Sequence, residues 1–171
     1  MAKYIADSGS GKLIEVQPIT TSAGAGDANK IVQTDSSGKF DISLLPAGIG
    51  AEVSIVPSFE NLTAGNFINL FSNAGTVNSR KADATTNAKN AHGFTLATVT
   101  SPASSTIYGI STKNTALAAL IPGADYWLAT TAGGVTTTAP QASGNYVQEL
   151  GTTESTTAMV FSNVKFGWTK V

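Results

Sequence analysis

The sequence predicts an all-β protein, and three of its features do so. Short runs of alternating apolar and polar residues recur at close spacing, divided by clusters of Gly, Asn, Ser and Pro, as in sandwiches and barrels. Threonine is abundant in those runs, and its branched Cβ suits a pleated, half-exposed surface. Charged residues make up 12% of the chain, about half the ~25% share of ordinary soluble domains. Disordered tails combine high net charge with few apolar residues; here the net charge is −1 and 42% of residues are hydrophobic. The 171 residues suffice for one domain and an arm. The reading is a small β-barrel or β-sandwich domain over residues 51–171. An extended N-terminal arm with a short hairpin, residues 1–50, precedes it.

The arm is flexible in composition. "SGSGK" (8–12) and "TTSAGAGDANK" (20–30) are Gly- and Ser-rich pieces around one short strand candidate, Leu13 to Gln17. Two short alternating runs then flank Asp35-Ser36-Ser37-Gly38, with Asp opening and Gly closing a four-residue turn, which predicts a hairpin. "SLLPAGIG" (43–50) follows, an apolar stretch that Pro46 and two glycines keep from becoming a helix. A segment so poor in core residues must order against something else.

From residue 51 the strand candidates are Val53 to Val56, Phe67 to Phe71, Val77 to Ala82, Phe94 to Val99 and Thr106 to Ser111. They continue with Tyr126 to Ala129, Val135 to Thr138, Asn145 to Leu150, Ala158 to Phe161 and Phe166 to Thr169. Asp125 to Ala129 should carry one of Tyr126 and Trp127 inward and the other outward. One helical turn or two is predicted at "NTALAALIPG", with Asn114 as its cap and Pro122 as its stop.

No catalytic or ligand motif has both its residue types and its spacing. "GSGK" lacks the first glycine of a phosphate loop (Ala6 stands there) and its metal-binding hydroxyl (Leu13 stands there). "GAGDAN" has Asn29 in place of the third glycine of a dinucleotide fingerprint. His92 is the sole histidine and there is no cysteine, which removes thiol chemistry, disulfides and cysteine-ligated metals. His92 sits in "AHGF", outside any triad motif, and reads as a turn or surface residue. The Asp35–Asp41 segment lacks the ligand alternation of a calcium loop. Asp83 and Asp125 could form a glycosidase pair only if folding brought them together. Asn61-Leu62-Thr63 fits a glycosylation sequon, but residues 1 to 20 have no secretory apolar core, so cytoplasmic synthesis is expected. The ten basic residues are scattered, unlike a nucleic-acid surface, and no stretch approaches the ~20 apolar residues of a membrane helix. Tyr108, Tyr126, Trp127, Tyr146 and Trp168 could stack on sugars, though in a Gly- and Thr-rich chain large rings chiefly supply core. The expectation is a protein that is not an enzyme and carries no cofactor or metal.

Two stretches resemble known proteins. Gly26 to Glu52 resembles a module of tailed-bacteriophage virion proteins, matching at Asp27, Lys30, Ile31, Val32, Asp35, Gly38, Lys39, Leu45, Pro46, Gly48 and Gly50. Asn29 departs from the pattern, where Gly is expected. Lys81 to Phe161 is similar to the β module of phage capsid decoration (cement) proteins, head fibres and some tail fibres. "ADAT", "AHGF", the Tyr108-to-Leu128 stretch, "GGVTTTAP" and "GNYVQELG" carry that likeness. Together they cover about two thirds of the chain. The resemblance implies a structural virion protein on the capsid exterior, usually a homotrimer, whose partners are the major capsid protein and its own copies. The arm would grip through its apolar residues Leu13, Ile14, Val16, Ile31, Val32, Phe40, Ile42, Leu44, Leu45 and Pro46. The alternative is a tail- or head-fibre subunit that binds a host glycan.

Overall fold

The structure, a computed structural model, describes residues 4–45, 52–162 and 168–169. The protein is all-β, and its only helical pieces among the described residues are three-residue 3₁₀ turns. The chain divides into two units, Met1–Gly50 and Ala51–Val171.

In the first unit, β1 (Tyr4–Asp7) pairs antiparallel with β2 (Leu13–Val16), from Tyr4 opposite Val16 to Asp7 opposite Leu13. The "SGSGK" piece, expected to be a flexible linker, is the turn of this hairpin. Ser8 N–H donates to Lys12 O at 2.8 Å, and Gly9 and Gly11 both hold φ of +76°, a conformation costly for a residue with a Cβ. Further on, Ile19 and Val32 form one parallel bridge. The hairpin expected around Asp35 is a turn without strands. Asp35 N–H donates to Lys39 O, and the carboxylate collects the N–H groups of Ser37 and Lys39, but no ladder extends from either side. The flanking runs have no covered face, so pairing them would bury nothing. Among the described residues of this unit, Pro18 alone is buried.

In the second unit, β3 (Val53–Pro57), β4 (Phe67–Asn73), β5 (Thr76–Lys81), β6 (Gly93–Phe94) and β7 (Ser104–Tyr108) form an antiparallel sheet in the order β3-β7-β6-β4-β5. The sheet curls until its two edges meet at one point: Ser58 bridges Ser79, and Phe59 N–H donates to Ser79 O at 2.8 Å. The ladder goes no further, so no barrel closes. Period-2 alternation along β4 sends Ile68 and Leu70 to the inside of the curl and Phe67 to the outside. Inside, Ile68 joins Leu62, Val99 and Ile107, with Val56 and Leu70 packed against them. The hydroxyls of Ser79 and Ser105, 2.7 Å apart, share that interior.

Outside the curl, Phe67 and Phe94 meet Tyr126, Leu128, Leu150, Met159 and Phe161 in the main core. These come from β9 (Asp125–Leu128), which lies between β10 (Val135–Thr136) and β12 (Glu149–Thr152), and from β13 (Met159–Phe161), paired with β8 (Thr112–Asn114). A last pair joins β11 (Tyr146–Val147) to β14 (Trp168–Thr169). Phe161 touches both Phe67 and Phe94 edge-on, with ring centroids 5.6 and 6.4 Å away.

Two sequence expectations fail here. The strand foreseen from Phe94 to Val99 stops at Phe94. Thr95 turns the chain, its hydroxyl accepting from Ala97 N–H, and Val99 makes only an isolated bridge to Leu62. The helix foreseen from Asn114 is absent. The fully buried Asn114 side chain donates to Gly65 O at 3.0 Å and accepts from Ala116 N–H, and Leu117 and Leu120 donate to Thr157 and Thr156. Long-range partners have taken the groups a helix would have used.

Candidate functional site

The residues foreseen as contact residues lie on an arm shaped by its own polar side chains. Asp27 accepts from Lys30 at 2.5 Å and from Ala23 N–H at 2.6 Å; Asp41 accepts from Ser43 N–H at 2.9 Å; Ser43 in turn accepts from Ser22 N–H at 2.8 Å. These bonds hold the carboxyls below the ordinary carboxylate range. Asp27 responds chiefly to Lys30, Asp35 to the Lys39 N–H, and Asp41 to Ser43. Local hydrogen bonds thus give the arm a shape while leaving its apolar side chains outside.

On β2, Leu13 is 76% exposed and Ile14 46%, and Val16 is half-buried. The register places Ile14 and Val16 on one face with Ala6 and Tyr4, so that face is apolar throughout. Leu13 and Ile5 share the other face with Asp7 and Glu15, and Ile5, Leu13, Ile14 and Glu15 line a shallow hollow of about 350 Å³. Ile31 is half-buried and Val32 exposed beside the Ile19 bridge. Phe40 is 58% exposed beyond the Asp35 turn, Leu44 is half-buried and Leu45 exposed. Hence Ile14 and Val16 share one face of the hairpin with Leu13 on the other, and Ile31 and Val32 sit side by side at the bridge. Phe40 and the Leu44–Leu45 pair stand on separate turns. Ile42 lies in the 3₁₀ turn Ile42–Leu44; its side chain and Pro46 are outside the described residues. Sequence reasoning missed Ile5 and Tyr4, whose signal was the short apolar start of "YIAD".

A second concavity, of about 340 Å³, opens at one end of the curled sheet. Glu52, Ser54, Leu70, His92, Ile107 and Gly109 line it. His92 Nδ1 accepts the Leu70 N–H at 2.9 Å, which requires a neutral ring, and Nε2 lies 3.2 Å from the Asn90 amide nitrogen. The neutral tautomer then carries its proton on Nε2, and the Asn90 amide must present its oxygen there. Partial burial pushes the His92 pKa down. Both ring nitrogens are committed, so the site offers no imidazole base poised on a nucleophile.

The other residues weighed from sequence are placed as follows in the fold. Asp83 is buried and bound to Thr85 and Lys89, while Asp125 is exposed and accepts from Thr152 at 2.6 Å. Tyr126 is buried, and its hydroxyl accepts from Ile121 N–H; Trp127, next to it, is half-buried, and so are Tyr108 and Tyr146. The Trp168 side chain lies outside the described residues. No group of three or more His, Asp or Glu side chains that could hold a metal occurs among the described residues. Comparison with family models, curated proteins and solved structures finds no match.

Proposed function

We propose that the protein is a structural component of a bacteriophage virion that binds the capsid exterior as a homotrimer, with residues 1–50 as its anchor. The observation that carries this reading is the inverted arm. Its turns are fixed by Asp27, Asp35 and Asp41, yet Leu13, Ile14, Val32, Phe40 and Leu45 all remain at least 40% exposed. A two-stranded hairpin alone in water is marginal, so such a segment gains from a surface that covers it. Because its turns are already formed, less ordering cost opposes binding. Three arms on one trimer would multiply a weak contact through effective concentration. The resemblance of Gly26–Glu52 and Lys81–Phe161 to phage virion modules supplies the kind of surface.

The test is co-sedimentation with capsids stripped of their decoration protein, comparing the full chain with residues 51–171. The full chain should pellet with capsids and the truncated one should stay in solution. Equal binding by both overturns the anchor. In the same preparation, the mass in solution should be three times the 17.4 kDa chain. A location on the tail, seen in a reconstruction of the virion, supports the fibre reading instead.

A further inference from the structure

We propose that the mouth of the curled five-stranded sheet is a binding site for a primary alkylammonium group, with the lysine side chain of a partner protein as its occupant. This concerns the second unit alone and does not rest on the role given to the arm. The floor of the mouth is apolar, formed by Leu70 and Ile107 at the end of the inner cluster. Its rim is polar: the Glu52 carboxylate, the Ser54 hydroxyl and the His92 ring.

Glu52 is held in place from below. Its carbonyl accepts the Gly109 N–H at 2.7 Å, and its side chain lies over Gly109, where a Cβ would stand 3.0 Å from Oε2. The glycine is what lets the carboxylate fold over the end of β7. The ion pairs seen among the described residues, Lys30–Asp27, Lys89–Asp83 and Lys113–Glu154, leave Glu52 out. His92 supplies no countercharge, because its Nδ1 accepts the Leu70 N–H and the ring is neutral.

Among the described residues the lining therefore combines one anionic group, one hydroxyl, a neutral imidazole and an apolar floor. A lysine side chain has the matching parts: a four-carbon apolar stem and a compact cation with three donors. The stem would lie along Leu70 and Ile107, with the ammonium donating to Glu52 and Ser54. An anion would meet the carboxylate, and a sugar would find no Phe, Tyr or Trp ring among the described lining residues. A diamine would leave its second ammonium over the apolar floor without a carboxylate.

The experiment is a titration of the ¹⁵N-labelled full chain, followed by amide shifts at fixed ionic strength. The probes are Nα-acetyl-lysine N-methylamide, the uncharged norleucine analogue and 1,4-diaminobutane. The lysine compound should move the amides of Leu70, His92, Ile107 and Gly109, and bind about tenfold tighter than the norleucine analogue. Glu52→Gln should remove about that factor. Gly109→Ala, which displaces the carboxylate while keeping its charge, should weaken binding in the same direction. Equal binding of the norleucine compound, an unaffected E52Q, or tighter binding of the diamine would each overturn the proposal.

Discussion

His92 shows how one side chain can be structural and titratable at once. Its ring stands in for a backbone acceptor by taking the Leu70 N–H, a bond that only the neutral imidazole makes. Folding lowers its pKa from the usual 6.5 through burial. The unfolded chain thus binds the proton more readily, and stability falls as pH drops below about 6.5 and through the folded pKa. Urea midpoints should be lower at pH 5 than at pH 7. In His92→Gln, whose amide oxygen can still accept but does not titrate, that drop should shrink; an equal drop in both proteins would place the effect elsewhere. Asp83 acts in a separate, more acid window. Burial pushes its pKa up, but hydrogen bonds from Thr85 and Lys89 outweigh that and hold it below 3.8, so its contribution is lost only as pH falls through that lowered value.

At the scale of elements, the segment from Ala82 to His92 has no long strand of its own and is tied down by a residue from β11 and β12's connection. The fully buried Gln148 clamps it, its Oε1 accepting Ala91 N–H at 2.7 Å and its Nε2 donating to Ala91 O at 2.8 Å. Gln148→Ala would strand two buried backbone groups and open a cavity, for a loss of about 2–4 kcal/mol. Urea denaturation monitored by tryptophan fluorescence measures it, and a loss under about 0.5 kcal/mol would mean that the backbone groups find other partners. Such a clamp is invisible in "YVQEL", where Gln reads as an exposed polar position. The positions of β4 and β5 were legible within a residue or two, but which of their side chains face in was not, since "FINLF" is apolar at four of five positions. The short strands β1 and β8 were not, because "YIAD" and "TKN" are too brief for a period to declare itself. The helix expected after Asn114 was misread because the cap signal is local, whereas the partner that claimed Asn114 is Gly65, far away in sequence. The arm's apolar residues stood out against their Gly- and Ser-rich background. The mouth did not, since its lining is gathered from β3, β4, β7 and the loops beside β6, and nothing in a linear pattern joins Glu52 to His92.

For the molecule as a whole, the division of labour is between a unit with two cores and a unit with none. The second unit holds every described residue of both apolar clusters. Residues 51–171 should therefore fold alone, with the near-ultraviolet dichroism of the full chain and a melting temperature within about 3 °C of it, the shift of a change near 1 kcal/mol in a domain of this size. A truncated chain that binds a hydrophobic dye and melts without cooperativity would show that the arm completes a core. Charge is spread thinly over both units, so association of copies meets little long-range repulsion.

The meeting of Ser58 with Ser79 has a mechanical consequence. A closed barrel resists widening, because every strand is locked to two neighbours and no edge can give way. Here the cylinder is fastened at one short place: the Ser58–Ser79 bridge with the Phe59 N–H on Ser79 O, the Ser79 hydroxyl on Pro57 O at 3.3 Å, and the Lys81 N–H on the Glu60 carboxylate at 2.8 Å. The five-stranded ladder can stay whole while this clasp opens. The girth of the cylinder, and with it the width of its mouth, is set by this short run of hydrogen bonds between its two edges.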